Sequence, residues 1–318
     1  MSMRISETTK GHLVILLTNI IFGINTPIAK DALNIIGPYI LSTFRFAGCA
    51  VLFWIASFLF KIPKVNKKDI GLLCLASLFG IVFNLFAFIL GLSNTTPTNA
   101  SIIVSMTPIF TMIMAAIFLK EPLTLKKAIG VMCGLSGALT LIFTKQTTAT
   151  ALAKNNVLGI IFCLVSGVSY ALYLTLFSSL IKRNHPINIM KWMFLASTIA
   201  VLPITWSEVS SFNYSVLTTK TCLEISYVVL MATFLNYMFI PIAQARLRPT
   251  TLSMYNYVQP IVTTIISIIT FMDVLNIYKV IAALLIFGGV YIVTTSRSKK
   301  QTAELVKAKQ TLEEITAN

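Results

Sequence analysis

The chain has 318 residues, 56% of them hydrophobic and only 11% charged, and its mean hydropathy is +0.85. A soluble domain carries about 25% charged residues, so this composition excludes an aqueous globular protein and predicts an integral membrane protein. The net charge of +15 would suit a nucleic-acid binder in a soluble chain; in a membrane protein it reports topology, and no nucleic-acid partner is expected.

Ten stretches are apolar for long enough to cross a hydrocarbon core of about 30 Å, which takes roughly 20 helical residues. They cover about residues 12–30, 38–60, 70–91, 97–119, 126–144, 157–180, 187–206, 222–245, 250–271 and 277–296. The predicted fold is all-α, with ten transmembrane helices. The first stretch is as long as the others and lacks a small-x-small cleavage site, so it is read as a retained span rather than a signal peptide. Cys49, Cys74, Cys133, Cys163 and Cys222 fall in or at the ends of separate spans without metal spacing, and read as small apolar fillers.

With ten spans, Arg4, Lys10, Lys61, Lys64, Lys67, Lys68, Lys120, Lys126, Lys127, Lys182, Arg183, Lys191, Arg246, Arg248, Arg297, Lys299 and Lys300 share one face. Lys30, Lys145, Lys154, Lys220 and Lys279 hold the other. The positive-inside rule then puts both termini in the cytoplasm.

The stretch TPIFTMIMAAIFLKEPL, from Thr107, is echoed as QPIVTTIISIITFMDVL, from Gln259. An offset of 152 lays Pro97 on Pro249, Thr98 on Thr250, Ser101 on Ser253, Pro108 on Pro260, Ile109 on Ile261, Thr111 on Thr263 and Gly137 on Gly289. Glu121 falls on Asp273, and about a quarter of the positions from Pro97 to Thr144 are identical. Nearer the start, an offset of 148 lays Pro38 on Pro186. Two units of five spans follow, residues 1–148 and 149–296, with a tail at 297–318. Because five is odd, the second unit enters from the opposite side, and inverted repeats are a recurring build of secondary transporters.

The proline-bearing helix ending in LKEPLTLKKAIGVMCGLSGALTLI, repeated as MDVLNIYKVIAALLIFGGVYIV, resembles the EamA-type carriers of the drug/metabolite transporter superfamily. The resemblance covers roughly residues 11–297. The chain departs from the family pattern at Asp273, where glutamate is common, and at Phe22-Gly23, where Trp-Gly is frequent. The resemblance implies a cavity lined by the first, third, fourth, sixth, eighth and ninth spans. It also implies a cargo among amino acids, metabolites, drugs or nucleotide-conjugated sugars.

Candidate site residues follow from polarity at membrane depth. Pro108 and Pro260 lack a backbone donor and free the carbonyls of Val104 and Asn256. Such breaks are tolerated where neighbours or a wet cavity satisfy the freed groups, so the prolines are read as kinks lining a path, with a packing bend as the alternative. Glu121 and Asp273 are expected to cap or pair locally at span ends. Asn84 and Asn236 coincide at the 152 offset, each about 14 residues from a helix end, or roughly 21 Å, which brings both near the midplane. An amide there needs a partner, either substrate or a neighbouring helix. Asn25, Ser101, Ser105, Tyr170, Tyr173, Tyr255, Asn256, Tyr257 and Gln259 lie at similar depth. Tyr255 and Gln259 share a helix face. The substrate-binding set is therefore Asn25, Asn84, Ser105, Tyr173, Asn236, Tyr257 and Gln259. Arg45, two turns inside the second span, either meets an anionic substrate group or snorkels to the interface.

The ten carboxylates fall in loops, tails or helix ends, so no proton or sodium relay is evident. His12 and His185 lie at opposite ends of separate spans, and neither a phosphate loop nor a His-Glu-x-x-His motif occurs. No catalytic residues, metal or cofactor are expected. The tail RSKKQTAELVKAKQTLEEITAN reads as a short amphipathic cytoplasmic helix. The expectation is a monomeric small-molecule carrier in a bacterial inner membrane, working by alternating access and exporting amino acids or metabolites. A multidrug carrier or a non-transporting scaffold or receptor is the alternative.

Overall fold

The computed structural model describes residues 7–118, 125–143, 155–244, 246 and 255–295, and every regular element among them is helical. Helix α1 (Glu7–Leu59) contains the first two predicted spans, divided at Gly37 with φ 71° and ψ 170°. Only glycine adopts that conformation readily, and Pro38 opens the second limb with a preset φ. The first limb reaches residue 36 rather than stopping near 30. Lys30 is therefore buried within it, donating from Nζ to the carbonyls of Leu92 (2.8 Å) and Ser93 (3.1 Å).

Helix α2 (Lys67–Asn94) is capped by Asn66, whose side chain accepts from the Lys68 amide, and turns π-helical over Leu78–Phe86. Helix α3 (Pro97–Phe118) breaks between Val104 and Thr107. Then come α4 (Leu125–Phe143), α5 (Asn156–Leu176), a short helix Ser178–Arg183, and α6 (Pro186–Ser211). Helix α7 (Thr219–Ala243) repeats the π-helical device over Tyr227–Leu235. A 3₁₀ turn at Tyr255–Tyr257 leads into α8 (Val258–Ile269), and α9 (Ile277–Thr295) completes the described chain.

Among the described residues six helices are long and apolar enough to cross a membrane: α1, α2, α3, α5, α6 and α7. The first of these runs 53 residues, about 80 Å at 1.5 Å per residue, which is length for two crossings. Shorter apolar runs occupy α4, α8 and α9. Large apolar side chains such as Leu13, Phe58, Ile199, Ile265 and Leu284 face outward, while Asn19, Asn25, Arg45, Ser197 and Asn236 are buried. This inside-out polarity is that of a multi-pass membrane protein, in which polar groups turn from lipid toward the bundle interior.

Several inter-helix contacts recur under the two sequence offsets. Thr43 donates to Thr205 (2.8 Å), and Lys191 donates to Ser57 (2.8 Å); adding 148 to 43 and 57 gives 191 and 205. Helices α4 and α9 meet through glycine in the same reciprocal way. A Cβ on Gly137 would lie 2.8 Å from the Ala282 carbonyl oxygen, and one on Gly289 would lie 2.5 Å from that of Gly130. The 152 offset exchanges 137 with 289 and 130 with 282. Only a missing side chain permits so close a backbone approach, as at small-residue helix interfaces in membranes.

Asp273 differs from the sequence expectation of acids lying outside the interior. It is buried, paired with buried Lys279, and its Oδ1 accepts from the Val274 amide at 2.8 Å. Its local capping and pairing role is as expected. Glu121 and the tail lie outside the described residues.

Candidate substrate-binding site

The two proline breaks differ in construction. At Pro108 the helix gives way at Ser105 and Met106, and the Thr107 hydroxyl donates to the freed Val104 carbonyl at 2.6 Å. Ser105 turns its hydroxyl back onto the Ser101 carbonyl at 3.0 Å, within its own helix. Pro260 follows the 3₁₀ turn that contains Asn256. There Gln259 donates to Asn19 Oδ1 at 2.7 Å, and the Tyr255 hydroxyl meets His12 Nδ1 at 2.9 Å. The shared face expected of Tyr255 and Gln259 thus meets two turns of the first limb of α1. The side chain of Tyr257 lies outside the described residues.

Asn84 and Asn236 sit in or at the end of the two π-helical stretches, where widened turns move side chains out of α-helical register. Asn84 Nδ2 donates to both the carbonyl and the hydroxyl of Ser166 at 3.1 Å. Asn236 Nδ2 donates to the Thr18 carbonyl at 3.2 Å. Each asparagine therefore ties its helix to a neighbour, α2 to α5 and α7 to the first limb of α1. The partners also correspond, since 18 plus 148 is 166. Sequence reasoning passed over Thr18 and Ser166, although that offset aligns them.

One end of this arrangement remains uncommitted. Asn236 is fully buried and its Oδ1 has no hydrogen-bond partner; the same holds for Oδ1 of Asn25, 2% exposed. Asn84 is half-buried. An unpaired amide oxygen in an apolar interior costs about 1–3 kcal/mol, so these acceptors are functional candidates.

An aromatic group packs on the π-helical stretch of α2 that carries Asn84. Tyr173 stacks on Tyr170 with centroids 5.9 Å apart and on Phe177 at 6.4 Å. Its ring lies over Gly80, where a Cβ would come within 2.8 Å of Cδ2. Tyr237 packs edge-on to Phe194 at 5.4 Å. Tyr237 was not singled out in the sequence; nothing in its spacing marks it.

Arg45 does not snorkel. It is 1% exposed, and its Nε donates to the Thr233 hydroxyl in the π-helical stretch of α7 at 2.6 Å. Thr233 in turn donates to the Val228 carbonyl five residues back. Among the described residues no cluster of metal-ligating side chains is present.

A helical bundle with a lipid-facing apolar surface and a polar, aromatic interior defines the class of multi-pass membrane proteins. The EamA-like transporter family matches residues 9–143 and 157–295, and the chain belongs to that family. The chain is 25% identical over 289 residues to an uncharacterized transporter of Archaeoglobus fulgidus, covering 91% of this chain and all of the relative. It is 23% identical to Bacillus subtilis uncharacterized transporter YyaM, covering 88% and 92% of the two chains, and 22% identical to an Arabidopsis thaliana WAT1-related protein, covering 96% of each. One crystal structure superposes with a TM-score of 0.62 at 16% identity, covering 90% of this chain and 96% of that one, a likeness of fold.

Proposed function

We propose that the chain is a secondary carrier for small organic metabolites, best suited to exporting amino acids or related compounds from the cytoplasm. Two inverted five-helix units, 1–148 and 149–296, would rock by alternating access about a site between them. Asn25, Asn84, Ser105, Tyr173, Asn236, Tyr257 and Gln259 would line this site, with Pro108 and Pro260 as kinks. Both termini would be cytoplasmic in a bacterial inner membrane, the carrier acting as a monomer on its small-molecule substrate.

The observation that carries this reading is the matched pair of amide contacts, Asn84 to Ser166 and Asn236 to Thr18. Under the sequence offsets the two bonds exchange, as they would about a twofold axis lying in the membrane plane, and inverted repeats place substrate at that axis. The buried, unpartnered acceptors of Asn236 and Asn25 supply the few directional groups that a mostly apolar site needs.

Counterflow in proteoliposomes loaded with amino acids, organic acids or drug-like compounds tests it. One compound class should exchange, and Asn84→Ala together with Asn236→Ala should lower exchange at least tenfold without loss of folded protein. Undiminished exchange in the double variant would make the asparagines purely structural; absence of exchange by every compound would remove the carrier reading.

A further inference from the structure

The Arg45 guanidinium is buried, and among the described residues no acid pairs with it. Among the described residues the acids are committed elsewhere or exposed: Asp31 and Glu224 to Lys220, Asp69 to Arg183, Asp273 to Lys279, with Glu208 on the surface. The titratable groups whose charge bears on Arg45 are Tyr237 and Cys49, neither anionic at neutral pH. Nε is taken by Thr233, while Nη1 is buried with no partner. A charged group at the bilayer centre costs about 2.5–3.5 kcal/mol by insertion scales, and leaving one of its donors unpaired adds to that.

The setting of the guanidinium points toward the candidate site. Thr233, Asn236 and Tyr237 lie close together in sequence where the π-helical stretch of α7 gives way to α-helix. Arg45 bonds the first. Asn236 keeps its bare acceptor, and Tyr237 packs edge-on to Phe194 in the apolar cluster that also holds Tyr173. Arg45, on α1, thus brings a bare Nη1 to the stretch of α7 that also carries the bare acceptor of Asn236 and the Tyr237 ring.

Resting on the carrier reading above, we propose that Arg45 is the anion subsite, receiving the carboxylate of the transported molecule on Nη1. A carboxylate supplies the missing counter-charge and accepts the charge-assisted hydrogen bond. The acceptor of Asn236 takes a donor from the same molecule, such as the ammonium of an amino acid. The tyrosines contact its apolar part. Substrates are thus small carboxylates, with zwitterionic amino acids the best match to the paired donor and acceptor.

Ligand-induced thermal stabilisation of the purified full-length carrier in detergent tests this directly, because a ligand that binds only the folded state raises Tm. The probes are an aromatic amino acid, its deaminated acid, its carboxamide and an aryl phosphate. The amino acid and the deaminated acid should raise Tm in wild type, and the carboxamide should not. Arg45→Gln should weaken carboxylate binding at least tenfold, with Arg45→Lys intermediate because the ammonium lacks the planar fork. Should Arg45→Gln not fold, Thr233→Asp places a resident carboxylate at the guanidinium; it should fold and lose carboxylate binding. Equal stabilisation by acid and carboxamide, stabilisation by the phosphate alone, or unchanged carboxylate affinity in Arg45→Gln or Thr233→Asp overturns the subsite. Counterflow of the carboxamide alongside these results would leave the carrier reading standing, whereas no counterflow by any probe would remove that reading while Tm still decides the subsite.

Discussion

The contacts that recur between the two units can be set against one that does not. Thr43 with Thr205 is answered by Ser57 with Lys191, Gly137 on α9 by Gly289 on α4, and Asn84 on α5 by Asn236 on the first limb of α1. The Arg45–Thr233 bond has no such answer: the offsets lead to Met193 and Ile81, both apolar and buried. Both residues belong to the apolar cluster that also contains Tyr173 and Tyr237. Helix-to-helix scaffolding is thus duplicated, whereas the buried charge is confined to one side. Duplicated contacts suit a frame that must hold two related arrangements. A one-sided charge suits recognition of an asymmetric molecule. Substitutions at duplicated contacts of equal burial should therefore have matched effects, and those at Arg45 should not.

The largest matched effect belongs to the glycines. Gly289→Leu and Gly137→Leu drive a side chain into backbone lying within 3 Å, and each should destabilise by about 3 kcal/mol, the upper end of ordinary overpacking costs. Gly288→Leu is the internal control, since nothing lies within 4 Å of a Cβ there; it should stay within about 0.5 kcal/mol of wild type. Thermal or denaturant unfolding in detergent reads all three. Unequal effects at 137 and 289 would break the matching of the two units.

A smaller and deliberately unequal effect is expected at the asparagines. Asn236→Ala removes a fully buried amide, and Asn84→Ala a half-buried one whose partner Ser166 can turn to its own helix. Polar contacts between membrane helices are worth about 0.6–2 kcal/mol, so about 1 kcal/mol is expected for Asn236 and about half that for Asn84 by the same unfolding measurement. Equal losses would mean that burial does not separate the two sites.

Much of this was legible in the sequence, for identifiable reasons. Hydropathy exposes spans because lipid demands continuous apolar length, and the offset of 152 exposes duplication because Pro108, Pro260, Gly137 and Gly289 hold backbone geometry that few other residues supply. Asn84 and Asn236 could be found because an amide is conspicuous in an apolar run. Their bonding to Ser166 and Thr18 could not be read, since hydroxyls and carbonyls are common along helices and only the fold selects among them. Lys30 was misplaced because the first limb continues to Gly37, so a residue that reads as terminal is interior. Arg45 was legible as a charge in a span, but its burial was not. Snorkelling and burial leave the same trace in sequence, and the choice between them is made by Thr233, 188 residues away. The π-helical stretches over Leu78–Phe86 and Tyr227–Leu235 carry no composition that distinguishes them from α-helix.

The smallest expected effect concerns two ionic clamps at the helix starts. Arg183 grips Asp69 at the start of α2 with bonds of 3.0 and 2.5 Å, joined by Asn184 at 2.9 Å. Lys220, at the start of α7, pairs with Asp31 in the first limb of α1. The 152 offset lays Lys68 on Lys220, so the clamps occupy corresponding places but with reversed polarity: acid on α2, base on α7. Arg183 and Lys220 are exposed, so Arg183→Gln and Lys220→Gln should each cost less stability than any destabilising substitution above, because exposed ion pairs are screened by solvent. If the clamps close opposite ends of a rocking carrier, Arg183→Gln should speed amide hydrogen exchange at the start of α2 and slow it at the start of α7. Lys220→Gln should do the reverse. Exchange that rises only beside each substitution, with the far end unchanged, would reduce both clamps to local surface pairs and separate them from the duplicated frame.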